Sequence, residues 1–176
     1  AADFPTIWNQ AKKQGMQLHW DGNNDRVEER NLNASFGTGA TPRLIDHASI
    51  ARIQAWNATA EPPDFGDHFD IDTAKAERGK LIYRRYCADC HGASGSDFSG
   101  RYVGQVVPLT EIATDPYRLH SFTPQLALNL GTPYAGTAYR FRSFRKTFGY
   151  ANAPMDGMWL RAPYLHNGSV PTLWDL

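Results

Sequence analysis

Two cysteines and a histidine lie close together in the run Cys87-Ala88-Asp89-Cys90-His91. Cysteines three residues apart lie on one face of a helix, so both sulfurs can reach the same group. The histidine follows directly, where its imidazole can turn toward a metal ion. This C-x-x-C-H pattern is the attachment sequence for c-type haem. Each thiol would bond one vinyl group of the porphyrin, and the histidine would bind the iron from the proximal side.

Other uses of these residues fit the chain less well. A structural zinc site needs about four ligands, and the sequence has 2 cysteines in all. A thioredoxin-like dithiol is expected within a βαβ unit, which the surrounding sequence does not indicate. A simple disulfide would leave His91 without a role. The sequence therefore predicts one covalent haem c with its iron, attached through Cys87 and Cys90 and ligated by His91.

The composition narrows the remaining function classes. Lys+Arg and Asp+Glu both number 18, so no net field attracts nucleic acid or an anionic membrane. The basic cluster from Arg140 to Lys146 is better explained by haem propionates or by solvation. No apolar run approaches the ~18 residues of a membrane span. We therefore expect no nucleic-acid partner and no membrane span.

The proline pair Pro62-Pro63 interrupts the helical pattern and indicates a stiff connector. Residues 1–62 are predicted to form a helical extension or inter-domain segment, with helices from Phe4 to Gln14 and from the N-cap Asp46 to about Trp56. Residues 63–176 are predicted to form the haem domain. The chain ends in what resembles the first turn of a helix, so we expect this domain to be truncated at its C-terminus.

The helix that carries the motif is predicted to begin after the N-cap Asp72. Ala76, Gly79, Tyr83 and Cys87 advance by three or four residues and define one face of it. A glycine within a helix costs about 1 kcal/mol relative to alanine. Gly79 therefore predicts a close crossing with another helix.

Two stretches of the chain resemble a known family. The run from Gly79 to Gly92, GKLIYRRYCADCHG, resembles the N-terminal helix and attachment site of class I cytochrome c domains. The ending GMWLRAPYLHNGSVPTLWDL resembles the C-terminal haem domain of bacterial dihaem cytochromes. That superfamily includes dihaem cytochrome c peroxidases, amine-cofactor-maturing dihaem enzymes and haem-dependent rubber oxygenases. LHWDGNN and ERN are similar to the segment that joins two haem domains in some members.

The resemblance implies a mainly α fold, a class I cytochrome c-like helical haem domain with a helical N-terminal extension. It implies that the Pro108 carbonyl accepts the Nδ1–H of His91. Where another residue binds the iron, it implies that His166 hydrogen-bonds a propionate or the backbone, alongside Arg161. It also implies a periplasmic or otherwise exported bacterial protein. Dihaem members carry a second C-x-x-C-H upstream, whereas this chain has one. We therefore expect a piece of a longer cytochrome.

The sixth iron ligand is predicted to be Met155, which lies on the turn Ala153-Pro154-Met155-Asp156-Gly157. A buried core methionine is the ordinary alternative for such a residue. His166 is the second candidate, because bis-histidine ligation occurs in the superfamily. His120 is a weaker candidate, and an open site ranks below Met155 and His166.

The predicted function is electron transfer by a c-type cytochrome with one covalently attached haem. The alternative is an electron-relay fragment of a dihaem peroxidase or oxygenase, in which catalysis occurs at a haem that this chain lacks. Whether the chain is an enzyme stays open, with an electron carrier favoured over a self-sufficient enzyme. Its partner would be a redox protein or a second haem domain. The state of the sixth position decides between electron transfer and peroxide or oxygen chemistry.

Overall fold

The fold is mainly α, as the sequence predicts. The computed structural model describes residues 5–176, and helices, short 3-10 turns included, account for about 40% of the chain. The α-helices are α1 Val27–Gly37, α2 His47–Thr59, α3 Thr73–Tyr86, α4 Ala88–His91, α5 Leu109–Ile112, α6 Tyr117–Ser121 and α7 Pro124–Leu130. Two short strands, β1 Val106–Pro108 and β2 Gly149–Ala151, pair antiparallel. Short 3-10 turns occur at Gln10–Lys13, Phe65–Asp67 and Met158–Leu160. Among the described residues, no helix is long and apolar enough to cross a bilayer.

Aspartate caps begin two helices where the sequence predicts them. The Asp46 carboxylate accepts a hydrogen bond from the Ser49 amide at 3.0 Å. Asp72 accepts one from the Lys75 amide at 2.9 Å. These bonds satisfy amides that have no partner within the first helical turn. Both predicted helix starts are confirmed.

The predicted helix from Phe4 to Gln14 is wrong over its described part. Phe4 itself lies outside the described residues, and the segment holds one 3-10 turn, Gln10–Lys13. Asn9 precedes this turn with φ 52, a left-handed conformation that interrupts a right-handed helix. The Asn9 amide donates to the Ala60 carbonyl at 2.8 Å. A long-range contact therefore replaces the local helical bond.

The apolar core lies where α1 meets the irregular segment after α7. Its fully buried members are Leu32, Tyr134 and Phe141. The rings of Phe141 and Phe144 pack edge to face with centroids 5.4 Å apart. Five partly buried side chains surround this cluster: Phe36, Ile45, Ile50, Leu130 and Phe144. The core thus draws residues from both sides of the Pro62-Pro63 connector, while the division of the chain at that connector stays a prediction.

A buried polar network joins the same two regions. Asp21 is fully buried. Its carboxylate accepts a hydrogen bond from the Arg118 side chain at 3.2 Å and one from the side-chain amide of Asn23 at 3.0 Å. The Thr147 hydroxyl donates to the Asp21 backbone carbonyl. Because the carboxylate has no access to water, these partners replace its hydration.

Glu29 provides a second such contact from α1. Its carboxylate accepts hydrogen bonds from the backbone amides of Arg142 and Ser143 at 2.9 and 3.0 Å. It also accepts one from the buried Asn24 side chain at 3.0 Å. The segment after α7 has little regular structure. It is therefore held by a side chain from α1.

The close approach of β1 and β2 requires glycine at position 149. A Cβ there would lie 2.6 Å from the backbone carbonyl carbon of Val107. We expect Gly149→Ala to lower the free energy of unfolding by roughly 3 kcal/mol, because the strands cannot keep their spacing. Urea denaturation measures this change. Unaltered stability would contradict the pairing of β1 with β2.

Gly79 offers the matched control. A Cβ on this residue of α3 would meet nothing within 4 Å, and α3 buries none of its residues. The close helix crossing that the sequence predicts at Gly79 is therefore absent from the described part of the chain. We expect Gly79→Ala to raise the free energy of unfolding by up to about 1 kcal/mol, the helix-propensity difference.

Candidate haem-attachment site

The helical turn that follows α3 places the two cysteines together. Cys87 lies between α3 and α4, and its carbonyl accepts hydrogen bonds from the amides of Cys90 at 3.1 Å and His91 at 2.9 Å. Cys90 therefore stands one turn beyond Cys87 on the same side of the helix. Both thiols are free and half-buried. This arrangement suits two thioether bonds to one porphyrin.

The imidazole of His91 is oriented by a backbone carbonyl. Its Nδ1 lies 2.9 Å from the carbonyl oxygen of Ala153. A carbonyl accepts and cannot donate, so Nδ1 carries the proton and Nε2 presents its lone pair. Such a bond fixes the tautomer of a metal-binding histidine and raises its basicity. The imidazole of His91 is thus held in the tautomer that an iron ligand needs.

Pro108 is not the acceptor of this bond, and that prediction is wrong. Pro108 closes β1 and is paired there with Gly149. The carbonyl that reaches His91 comes from the chain just after β2 instead. No pattern in the sequence marks Ala153 for this role, because every residue carries a backbone carbonyl. The position of Pro108 in the candidate cofactor site stays a prediction.

Met155 lies at the backbone end of His91. Its amide donates to the His91 carbonyl at 3.3 Å, in the same loop whose Ala153 carbonyl binds Nδ1. His91 would bind the iron through Nε2, the ring nitrogen farther from its backbone, whereas the contact of Met155 is with that backbone. This placement weighs against Met155 as the sixth ligand, which stays a prediction.

Glycines allow the segment after His91 to fold closely over α4. Gly92 has φ 91, and a Cβ there would lie 2.9 Å from the Asp97 carbonyl oxygen. A Cβ at Gly100 would lie 3.0 Å from the Asp89 carbonyl oxygen. The Tyr83 hydroxyl donates to the Gly92 carbonyl at 2.9 Å, tying α3 to the start of this segment. These contacts bring both ends of the segment from Gly92 to Gly100 close to the motif.

A buried ion pair holds the loop that carries Ala153. Lys13 and Asp156 are both buried, and Lys13 Nζ lies 2.8 Å from one carboxylate oxygen and 3.0 Å from the other. Burial lowers the pKa of Lys13 to about 8, although the charge of Asp156 and its hydrogen bond act in the opposite direction. Asn9 adds a hydrogen bond to the same carboxylate at 3.2 Å. Sequence reasoning missed this contact, since its members lie far apart along the chain.

His166 is buried among aromatic rings. Its ring centroid lies 4.3 Å from that of Tyr150 and 6.4 Å from that of Trp20. Nε2 is buried and has no hydrogen-bond partner within residues 5–176, and the nearest carboxylate oxygen, on Asp115, is 3.9 Å away. Burial lowers the pKa of His166, so we treat the Asp115 contact as a neutral one. His166 as a sixth ligand stays a prediction.

The other candidate residues lie in different surroundings. Arg161 is half-buried and donates from Nη1 to the Met158 sulfur at 3.5 Å. His120 is exposed on α6. In the predicted basic cluster, Arg145 forms an ion pair with Asp25 at 3.2 Å. The roles of Arg161 and His120 at the haem stay predictions.

The donor set of the attachment segment fits haem c. Two free thiols stand one helical turn apart, and the adjoining imidazole has Nδ1 occupied and Nε2 presented. The thiols would form the thioethers, and His91 would bind the iron. The residues present therefore match the group that the motif implies.

The C-terminal segment matches a family model. Residues 149–176 match the RoxA-like, cytochrome c-like family. This segment includes β2, Met155 and His166. The match supports a cytochrome c-like domain related to that family, and such a domain suggests haem binding. The resemblance noted in the sequence is confirmed over this part of the chain.

Two proteins of Sinorhizobium fredii, each carrying the description "uncharacterized", are similar to the chain. The protein y4iM is 28% identical over an alignment that covers 99% of this chain and 43% of y4iM. The protein y4iJ is 26% identical, over 58% of this chain and 26% of y4iJ. The chain thus spans less than half the length of either relative.

Proposed function

We propose that this cytochrome c-like chain carries one covalent haem c at Cys87, Cys90 and His91 and works in electron transfer. The observation that carries the proposal is the attachment geometry. Two free thiols share one helical turn, and the adjoining imidazole is held in the tautomer that binds iron. The family match of residues 149–176 independently supports the coarser part of the proposal, a cytochrome c-like domain that binds haem.

The residues around the motif determine how such a group would behave. When bound, haem supplies a one-electron couple between ferric and ferrous iron. The Ala153 carbonyl holds the His91 proton at Nδ1 and makes the imidazole a stronger donor, which favours the ferric state. The bond from the Tyr83 hydroxyl to the Gly92 carbonyl ties α3 to the start of the segment that follows the motif.

The sixth position has two leading protein candidates, Met155 and His166, and substitution distinguishes them. Methionine ligation gives a ferric sulfur-to-iron band in the far red and raises the potential relative to histidine. Loss of that band in Met155→Ala would identify Met155. A change to high-spin haem in His166→Ala, with no far-red band in the unaltered protein, would identify His166.

A second function is supported by the comparisons. The chain spans less than half of y4iM and y4iJ, and its C-terminal segment matches RoxA-like proteins. It would then be the electron-relay part of a larger dihaem peroxidase or oxygenase, with a second haem domain as its partner. In the first function the partner is a separate redox protein. An exported, periplasmic location is proposed in both cases.

The test combines a redox titration with a turnover assay on the haem-loaded chain. We expect a reversible one-electron titration, and hydrogen peroxide consumption no faster than that of free haem at equal concentration. Haem-free protein serves as the control for background consumption. Rapid peroxide turnover by the chain alone would contradict an electron-transfer role and establish an enzyme.

A further inference from the structure

The N-terminal segment, residues 9–13, holds the loop after β2 through the buried ion pair of Lys13 and Asp156. Lys13 is 5% exposed and Asp156 is 0% exposed. Lys13 Nζ contacts both carboxylate oxygens of Asp156, at 2.8 and 3.0 Å. The Asn9 side chain donates to one of these oxygens at 3.2 Å. Three donor contacts from one short segment therefore converge on a single carboxylate.

On the side facing the attachment helix, the same loop contacts His91. Ala153, three residues before Asp156, accepts the Nδ1–H of His91 at 2.9 Å. Met155, directly before Asp156, donates its amide to the His91 carbonyl at 3.3 Å. The loop from Ala153 to Asp156 is therefore clamped between the attachment helix and the N-terminal segment.

Directly after Asp156, the chain turns beside Trp8 and Pro62. Gly157 has φ 64, and a Cβ there would lie 2.8 Å from both Pro62 Cβ and the Trp8 indole nitrogen. The backbone directly after Asp156 therefore packs closely against Trp8 and Pro62.

A buried ion pair is weak evidence for added stability. Removing two charges from water costs several kcal/mol per ion, and an apolar pair of similar volume often does as well. Burial already weakens the hold of Lys13 on its proton. What the pair does provide is a fixed geometry, since a carboxylate buried without its partners would have to move or take up a proton.

We propose that Lys13 is a positioning residue for His91: with Asn9 it fixes Asp156, and thereby holds the Ala153 carbonyl on the Nδ1–H of the proximal histidine. This inference rests on the proposed function, because its consequence is a setting of the haem potential. The N-terminal segment would thus tune the haem through Asp156 and Ala153. Residues that the sequence assigns to an extension become part of the proximal side of the site.

The test removes the pair without altering the net charge. In the double variant Lys13→Met with Asp156→Asn, the loop loses its anchor and the bond from His91 Nδ1–H to Ala153 weakens. A less basic imidazole stabilises ferric iron less, so the potential rises. We expect about a tenfold change in the ferric-to-ferrous ratio at fixed potential, which is about 59 mV for one electron. Proton exchange at His91 Nδ1, followed by NMR, should accelerate at least tenfold.

An exposed pair on the neighbouring residue is the matched control. Lys12 and Glu61 form an ion pair at 3.4 Å with both side chains exposed. Lys12→Met with Glu61→Gln also keeps the net charge and should change neither the potential nor the exchange rate. The single variant Lys13→Arg retains the cation beside Asp156. Its potential and its exchange rate should therefore lie closer to those of the unaltered protein than the values of the double variant do.

A milder variant covers the case in which the double variant does not fold. Asn9→Gly suits the left-handed backbone at this position and removes one donor from Asp156. It should shift the potential in the same direction by a smaller amount. An unchanged potential and exchange rate in a folded, haem-loaded variant would overturn the positioning role, as would an equal shift in the Lys12 control. Failure of the unaltered chain to bind haem covalently would instead overturn the proposed function.

Discussion

Replacement of both Cys87 and Cys90 by alanine is expected to abolish covalent attachment of haem. Acidified acetone should then extract all the haem into the solvent, whereas the unaltered chain should keep its colour in the protein fraction. The reason is that the sequence contains 2 cysteines, both in the motif, so no other thiol can form a thioether. The expected change is from one haem per polypeptide to none.

The single variant Cys87→Ala is the informative companion. Cys90 and His91 remain in place, so we expect one thioether, extraction-resistant colour and a less stable haem protein. Mass spectrometry of the intact chain gives the haem count directly. Extractable haem from the unaltered protein would contradict attachment, and with it the electron-transfer proposal.

Asp21→Ala is expected to lower the free energy of unfolding by about 3 kcal/mol. Asp21 is 0% exposed and binds Arg118 at 3.2 Å and the buried Asn23 side chain. Removing one partner of a buried ion pair typically costs about 3–5 kcal/mol, and because the Arg118 side chain keeps 20% of its surface exposed, we expect the lower end of this range. Urea denaturation followed by tryptophan fluorescence measures the loss.

Glu77→Ala provides the comparison for Asp21→Ala. Glu77 pairs with Lys80 at 3.4 Å on the exposed surface of α3, where ion pairs contribute about 0–1 kcal/mol. We expect little change in stability from this variant. A loss under 1 kcal/mol in Asp21→Ala would show that the Asp21–Arg118 contact does not hold the two regions together.

The sequence predicted the features that depend on contacts between residues close together in the chain. The caps at Asp46 and Asp72 bond to amides three residues ahead, and the cysteines of the motif lie one turn apart. Helix periodicity depends on the same short spacings, and it predicted helices where α2 and α3 lie. These features need no knowledge of the rest of the chain, because the partners are neighbours in sequence.

The proximal side of the site was decided by tertiary structure. The acceptor for His91 is a backbone carbonyl, which any residue supplies, and the sequence-based choice of Pro108 was wrong. Lys13 looks like an exposed lysine in sequence, yet it is buried against Asp156. Met155 was chosen for its turn, whereas its backbone lies beside that of His91.

Burial explains this division between what was predictable and what was not. A residue type sets which bonds a side chain can make, and short spacing sets which neighbours it can reach. Whether a charge such as Asp21 or Lys13 leaves water depends on segments far away in sequence. The motif alone therefore determined the chemistry proposed for this chain. Only the packing of its N-terminal segment against the loop after β2 determined how His91 is held.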